Sequence, residues 1–86
     1  MKDLLLTNWE KLGGLVVAEN QRQIAKWGIQ DCDPFEWLAF ATEELGELSA
    51  AIADNHWRGG STEAVVKEAI QTATLCLKIA EMYSND

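Results

Sequence analysis

Apolar residues return every three or four positions over most of the chain, and the strict alternation of a half-buried strand is absent. The pattern is helical throughout and predicts an all-α fold. A first helical segment is expected from about Leu4 to Trp27, with Gly13-Gly14 as a candidate interruption and Gly28 as its stop. The stretch "IQDCDPFEW" reads as a connector that closes on a strong helix start. There Asp33 is placed to cap, Pro34 to open the helix, and Glu36 to complete a capping box. That helix is expected to reach about Asn55, where "HWRGG" breaks it, and Ser61 or Thr62 caps a last helix ending near Tyr83.

Two long helices joined by a short loop form an antiparallel hairpin, and the N-terminal segment can cover one side of it. Both long helices are apolar on more than one face, which a chain of 86 residues cannot bury alone. The expectation is a four-helix-type bundle completed by homo-oligomerisation. No repeat, low-complexity run or long linker divides the chain, so residues 1–86 read as a single domain.

In the helix from Pro34, residues Leu38, Ala41, Leu45, Leu48 and Ile52 follow the spacing of a buried stripe. Beside it runs a second stripe of Trp37, Phe40, Glu44, Glu47 and Ala51, apolar at its ends and acidic at its centre. Glu43, four residues before Glu47, flanks the same face. The last helix repeats the arrangement, with Val66, Ile70, Ala73, Leu77 and Ala80 as its core stripe. Alongside run Ala64, Glu68, Gln71, Leu75, Lys78 and Met82.

An EExxE run by itself is commonly a solvated face. Here two acid or amide pairs stand at matching offsets on successive helices, each replacing apolar stripe positions. If the hairpin brings them together, Glu44, Glu47, Glu68 and Gln71 form one oxygen-rich cluster. Crowded, half-buried carboxylates need a counter-charge. All-oxygen donors select Mg²⁺, with Mn²⁺ as a substitute, over zinc or copper. The single histidine, His56, has no partner at the spacing a di-iron bundle requires.

Charge narrows the classes of partner. Fourteen acidic residues against seven basic ones give a formal charge of −7, which argues against a nucleic-acid polymer or an anionic membrane. No run approaches the roughly 20 apolar residues of a membrane helix, and the opening "MKDLLLTNW" is too briefly apolar for a signal peptide. Cys32 and Cys76 lie far apart without a CxxC, so two reduced thiols in a cytoplasmic protein are expected, Cys76 as a small core residue.

"EELGE" followed by "EAIQ", with "ENQRQIAKWGIQ" and "WLAFATEELGEL", resembles the EExxE…ExxD signature of the MazG-like all-α NTP pyrophosphohydrolases. The similarity is to their small phage- and mobile-element-type members and spans about Glu19 to Tyr83. It implies Mg²⁺-dependent cleavage of a nucleoside triphosphate to monophosphate and pyrophosphate, in the clearance of noncanonical or surplus nucleotides. It also implies metal ligands at Glu44, Glu47, Glu68 and Gln71, and dimers or dimers of dimers. Gln71 departs from the family's aspartate; its carbonyl oxygen can bind Mg²⁺ but brings no charge, so weaker metal binding is expected.

For the chemistry, Glu47 is the first choice to orient or deprotonate the attacking water, and Glu43 the second. Lys78, Arg22 and Lys26 are the candidate cationic partners of the triphosphate. For Lys78, snorkelling beside the core competes with that role; for Arg22, a plain solvated face does. Trp27 could stack on a base or bury a helix end. Trp37 reads as packing, as does Trp9, and Trp57 as an exposed lid or an oligomer contact. The competing functions are a nucleotide- or metal-binding module that has lost turnover through Gln71, and a purely structural oligomer.

Overall fold

The structure is a computed structural model that describes residues 6–84, and these form three helices: α1 (Trp9–Trp27), α2 (Pro34–Arg58) and α3 (Thr62–Ser84). The expected helical start at Leu4 lies outside the described residues. Leu6 has φ 52°, a left-handed backbone that cannot extend a right-handed helix, and α1 opens at Trp9 after it. Gly13 and Gly14 do not interrupt α1; the Trp9 indole packs over Gly13, where an added Cβ would lie 3.7 Å away.

The start of α2 is set locally. Asp33 Oδ1 accepts from the Glu36 backbone N–H at 2.9 Å, and Glu36 Oε1 accepts from the Asp33 N–H at 3.2 Å, closing the capping box behind Pro34. The helix ends at Arg58, past the expected Asn55, and Arg58 pairs with Asp54 one turn back at 2.7 Å. The two glycines that follow have different tasks. Gly59 takes the left-handed cap, φ 72° and ψ 22°. Gly60 lies so close to the helix end that a Cβ there would meet the Asp54 Cβ at 3.0 Å. Its N–H donates to Asp54 O, and its carbonyl accepts from Asn55 Nδ2. Ser61 Oγ then caps α3 by accepting from the Ala64 N–H at 3.1 Å.

A connector this short forces α2 and α3 into an antiparallel hairpin, and they pack along their length. α1 packs against α3 and not against α2, so α3 is the central helix, with a groove left between its two neighbours. The radius of gyration, 14.1 Å, exceeds the roughly 12 Å of a compact chain this long. The bundle is open on one side.

The hairpin's rotational register corrects the expected core. Trp37, Ala41, Glu44, Leu48 and Ala51 are the α2 residues turned away from solvent, and on α3 the central ones are Glu68, Gln71, Thr74, Leu75 and Lys78. Trp37, Ala41 and Leu75 form the buried cluster, with Cys32 and Ile79 packed on it. Leu38, Leu45 and Ile52, assigned by periodicity to the core, are 52%, 55% and 50% exposed, and Val66 and Leu77 are exposed with them. Cys76 is likewise exposed rather than a core residue, and both cysteines are free thiols. The seam runs between the two stripes, bringing Ala41 and Ala51 toward α3 and turning the larger side chains out. Among the described residues, no helix is long and apolar enough to cross a membrane.

Candidate metal centre

Glu44 on α2 stands in mid-seam, with Ala41 three residues before it and Leu48 four after it on the same helix face. Glu47 lies one turn further and more exposed, and Glu68 faces them from α3. One carboxylate oxygen from each lies within 4.8 Å of the other two. Burial, the hydrogen bond with Glu68 and the charge of Glu47 together push the Glu44 carboxyl up to about 7. A carboxyl raised this far resists ionisation, and a divalent cation would favour its charged form. The donors are all hard oxygens, which fits Mg²⁺ or Mn²⁺.

Gln71 is brought to the same point, its amide end 2.9 Å from both Glu68 Oε2 and Glu44 Oε2. With its nitrogen turned inward it donates to both acids; with its carbonyl turned inward it offers the oxygen that the expected ligand role needs. Glu43 is exposed and outside the group of three, but it lines the cavity that opens beside Glu44.

That cavity, about 300 Å³, fills the groove between α1 and α2. Its walls include Trp27, Trp37, Phe40, Gln23 and Gln30, with Glu44 and Gln71 at one end. Arg22 also lines it, and a two-bonded pair with Glu19 fixes its guanidinium, Nε to Oε1 at 2.9 Å and Nη2 to Oε2 at 2.8 Å. The Arg22 hydrogen bond holds the Glu19 carboxyl below its ordinary value despite the opposing effect of burial. Trp27 lines the cavity and is half exposed, with the Arg22 guanidinium 5.8 Å from its ring centre. Lys26 is spent elsewhere: its ammonium lies 4.7 Å over the Trp27 ring, and it does not line this cavity.

Lys78 does not reach the acids. Its Nζ donates to Gln23 Oε1 at 2.6 Å and lies 4.9 Å from the Trp37 ring centre, in a second cavity beyond Gln23. Burial holds its ammonium below the ordinary lysine value, with Glu19 acting in the opposite direction. Gln23 is itself buried and donates through Nε2 to Glu19 Oε2 at 2.7 Å. Sequence reasoning missed Glu19, Gln23 and Gln30. Glu19 could have been found, since Arg22 and Gln23 stand three and four residues after it on one helix face. Gln23 meets Lys78 across 55 positions of sequence, a distance no local pattern spans.

Searches of protein-family models, curated proteins and solved structures return no match to this chain.

Proposed function

We propose that this protein is a Mg²⁺-dependent nucleoside triphosphate pyrophosphohydrolase, converting (d)NTP to (d)NMP and pyrophosphate in control of the cytoplasmic nucleotide pool. One observation carries this reading. Three carboxylates from two helices converge within 4.8 Å, Glu44 and Glu68 half-buried in the seam and Glu47 at its edge, beside a cavity walled by aromatic rings. Glu44 and Glu68 would hold Mg²⁺, with Glu47 as a third ligand. The ion supplies positive charge to triphosphate oxygens, where phosphoryl chemistry most needs it. Glu47, the most exposed of the three, is placed to orient a water molecule and accept its proton; Glu43, one turn before it, is the alternate base. Arg22, held by Glu19, offers its remaining N–H groups to phosphate at the cavity wall. Trp27 offers a face for the base.

The same reading requires more than one chain. Leu38, Leu45 and Ile52 on α2 and Val66 and Leu77 on α3 present apolar surface that this chain leaves uncovered. A second copy completes the four-helix bundle, as a dimer or a dimer of dimers.

The test is pyrophosphate release from the canonical nucleotides with Mg²⁺ and with chelator. Release that vanishes in Glu44→Ala and in Glu47→Ala, with helicity and assembly unchanged, supports the enzyme; release that survives both variants overturns it. A second reading is favoured by Gln71, a neutral amide where a fourth carboxylate would add charge: a binding module without turnover. Gln71→Asp separates them, because activity appearing only in that variant identifies the module.

A further inference from the structure

Among the described residues Lys78 is the only lysine or arginine that is not exposed, and the reaction above leaves it without a task. Its surroundings fix what it can do. Gln23 Nε2 is committed to a carboxylate oxygen of Glu19, so Gln23 must present its carbonyl to Lys78, and Lys78 donates. An ammonium has three donors and no acceptor. One donor is used by Gln23, and the Trp37 ring 4.9 Å away favours the charge without taking a hydrogen bond. The cavity that Lys78 lines, about 200 Å³, shares Gln23, Gln30 and Trp37 with the larger cavity that Glu44 and Gln71 line.

The spacing matches a nucleoside. Lys78 follows Gln71 by seven residues on α3, and Trp37 precedes Glu44 by seven on the antiparallel α2. Both helices therefore run from the acids to the Lys78 end over roughly 10 Å, the reach of a nucleoside from its α-phosphate to the far edge of its base.

We propose that Lys78 reads the base, selecting nucleotides whose distal edge carries a carbonyl oxygen (uracil, thymine, guanine, hypoxanthine) over those carrying an amino group there (cytosine, adenine). The inference rests on the nucleotide reading of the site. A carbonyl oxygen accepts from the ammonium. An amino group sets donor against donor in a half-buried place and leaves both without a partner. Sites built on such a contact discriminate more strongly than apolar pockets do.

The test measures kcat/KM for dTTP, dUTP, dGTP, dCTP and dATP, and binding of non-hydrolysable α,β-methylene analogues of dTTP and dCTP by calorimetry. The wild type is expected to favour the keto bases by about tenfold or more within each ring size. Lys78→Met should bring the ratio near one. Lys78→Gln is the second variant, because its amide still donates to Gln23 and offers either polarity to the base; it should fold and lose the preference too. Equal use of dTTP and dCTP by the wild type, or a preference that persists in both variants, overturns the role of Lys78 and leaves the enzyme intact. If pyrophosphate is not released but the analogues bind with the keto preference, Lys78 stands and only turnover is lost. Binding of neither analogue overturns both readings.

Discussion

The hairpin of α2 and α3 has two faces that invert the usual assignment of polarity. The inward face carries Glu44, Glu68, Gln71 and Lys78 beside Trp37, Ala41, Leu48 and Leu75, while the outward face carries Leu38, Leu45, Ile52, Val66 and Leu77. A chain folded only for its own stability would be turned the other way, since each large aliphatic group left half in water forgoes about 1 kcal/mol. The difference shows what each face is suited to. The polar seam is costly unless something neutralises its acids, and the apolar exterior is costly unless something covers it. On the function proposed above, a cation would answer the first demand and a second copy the second.

The two faces can be broken separately. The largest effect is expected in the seam, where Glu44→Ala or Glu68→Ala should lower Mg²⁺-dependent pyrophosphate release by about 10³-fold. Circular dichroism and sedimentation should show the fold and assembly retained. On the exterior, Leu45→Glu with Ile52→Glu should weaken self-association by roughly 100-fold or more. Analytical ultracentrifugation at micromolar concentration should then find monomer where the wild type is a dimer or larger. A wild type that already sediments as a monomer contradicts the second-copy explanation of this face.

Smaller effects probe the charge in the seam. Glu44→Gln keeps the shape and removes a half-buried acid, so the metal-free protein should gain about 1–2 kcal/mol at pH 8 by thermal unfolding. The same variant should no longer be stabilised by Mg²⁺, which couples a gain in stability to a loss of function. The pH dependence of the wild type follows from the same carboxyl. Folded Glu44 keeps its proton up to about 7, whereas an unfolded glutamate releases it near the ordinary value of 4.5. Between those values the folded state binds more protons, so stability falls as pH rises through that window. The metal-free midpoint should drop by several degrees from pH 5 to pH 8, a loss that Mg²⁺ restores at pH 8 and leaves nearly untouched at pH 5.

What could be read from sequence divides along the same line. The starts of α2 and α3 were legible because their causes are local: the Asp33–Glu36 box, Pro34 and Ser61 each act within a few residues, whereas the end of α2 fell one turn beyond the expected Asn55. The convergence of Glu44, Glu47 and Glu68 was legible from matching offsets on two helices joined by a short loop. The register was not, because hydrophobicity ranks leucine above alanine and so assigns Leu38, Leu45 and Ile52 to the interior. The seam instead follows Trp37, Ala41, Glu44, Leu48 and Ala51, an unbroken four-three alternation in which alanines permit close approach. The surroundings of Lys78 were hidden for another reason. They are set by Gln23 and Glu19 on a helix that packs on α3 from far away in sequence, while Lys78 shares its face of α3 with Gln71, which lies at the acids.

The most direct measurement of the seam uses Mn²⁺ as a reporter, read by electron paramagnetic resonance in the wild type and in Glu44→Gln at pH 8. The wild type should remove the free Mn²⁺ signal stoichiometrically, Mg²⁺ should restore it by competition, and Glu44→Gln should leave it unchanged. Mn²⁺ that stays free in the presence of folded wild-type protein at millimolar concentration would contradict the cation site, and with it the reason for those glutamates to face inward.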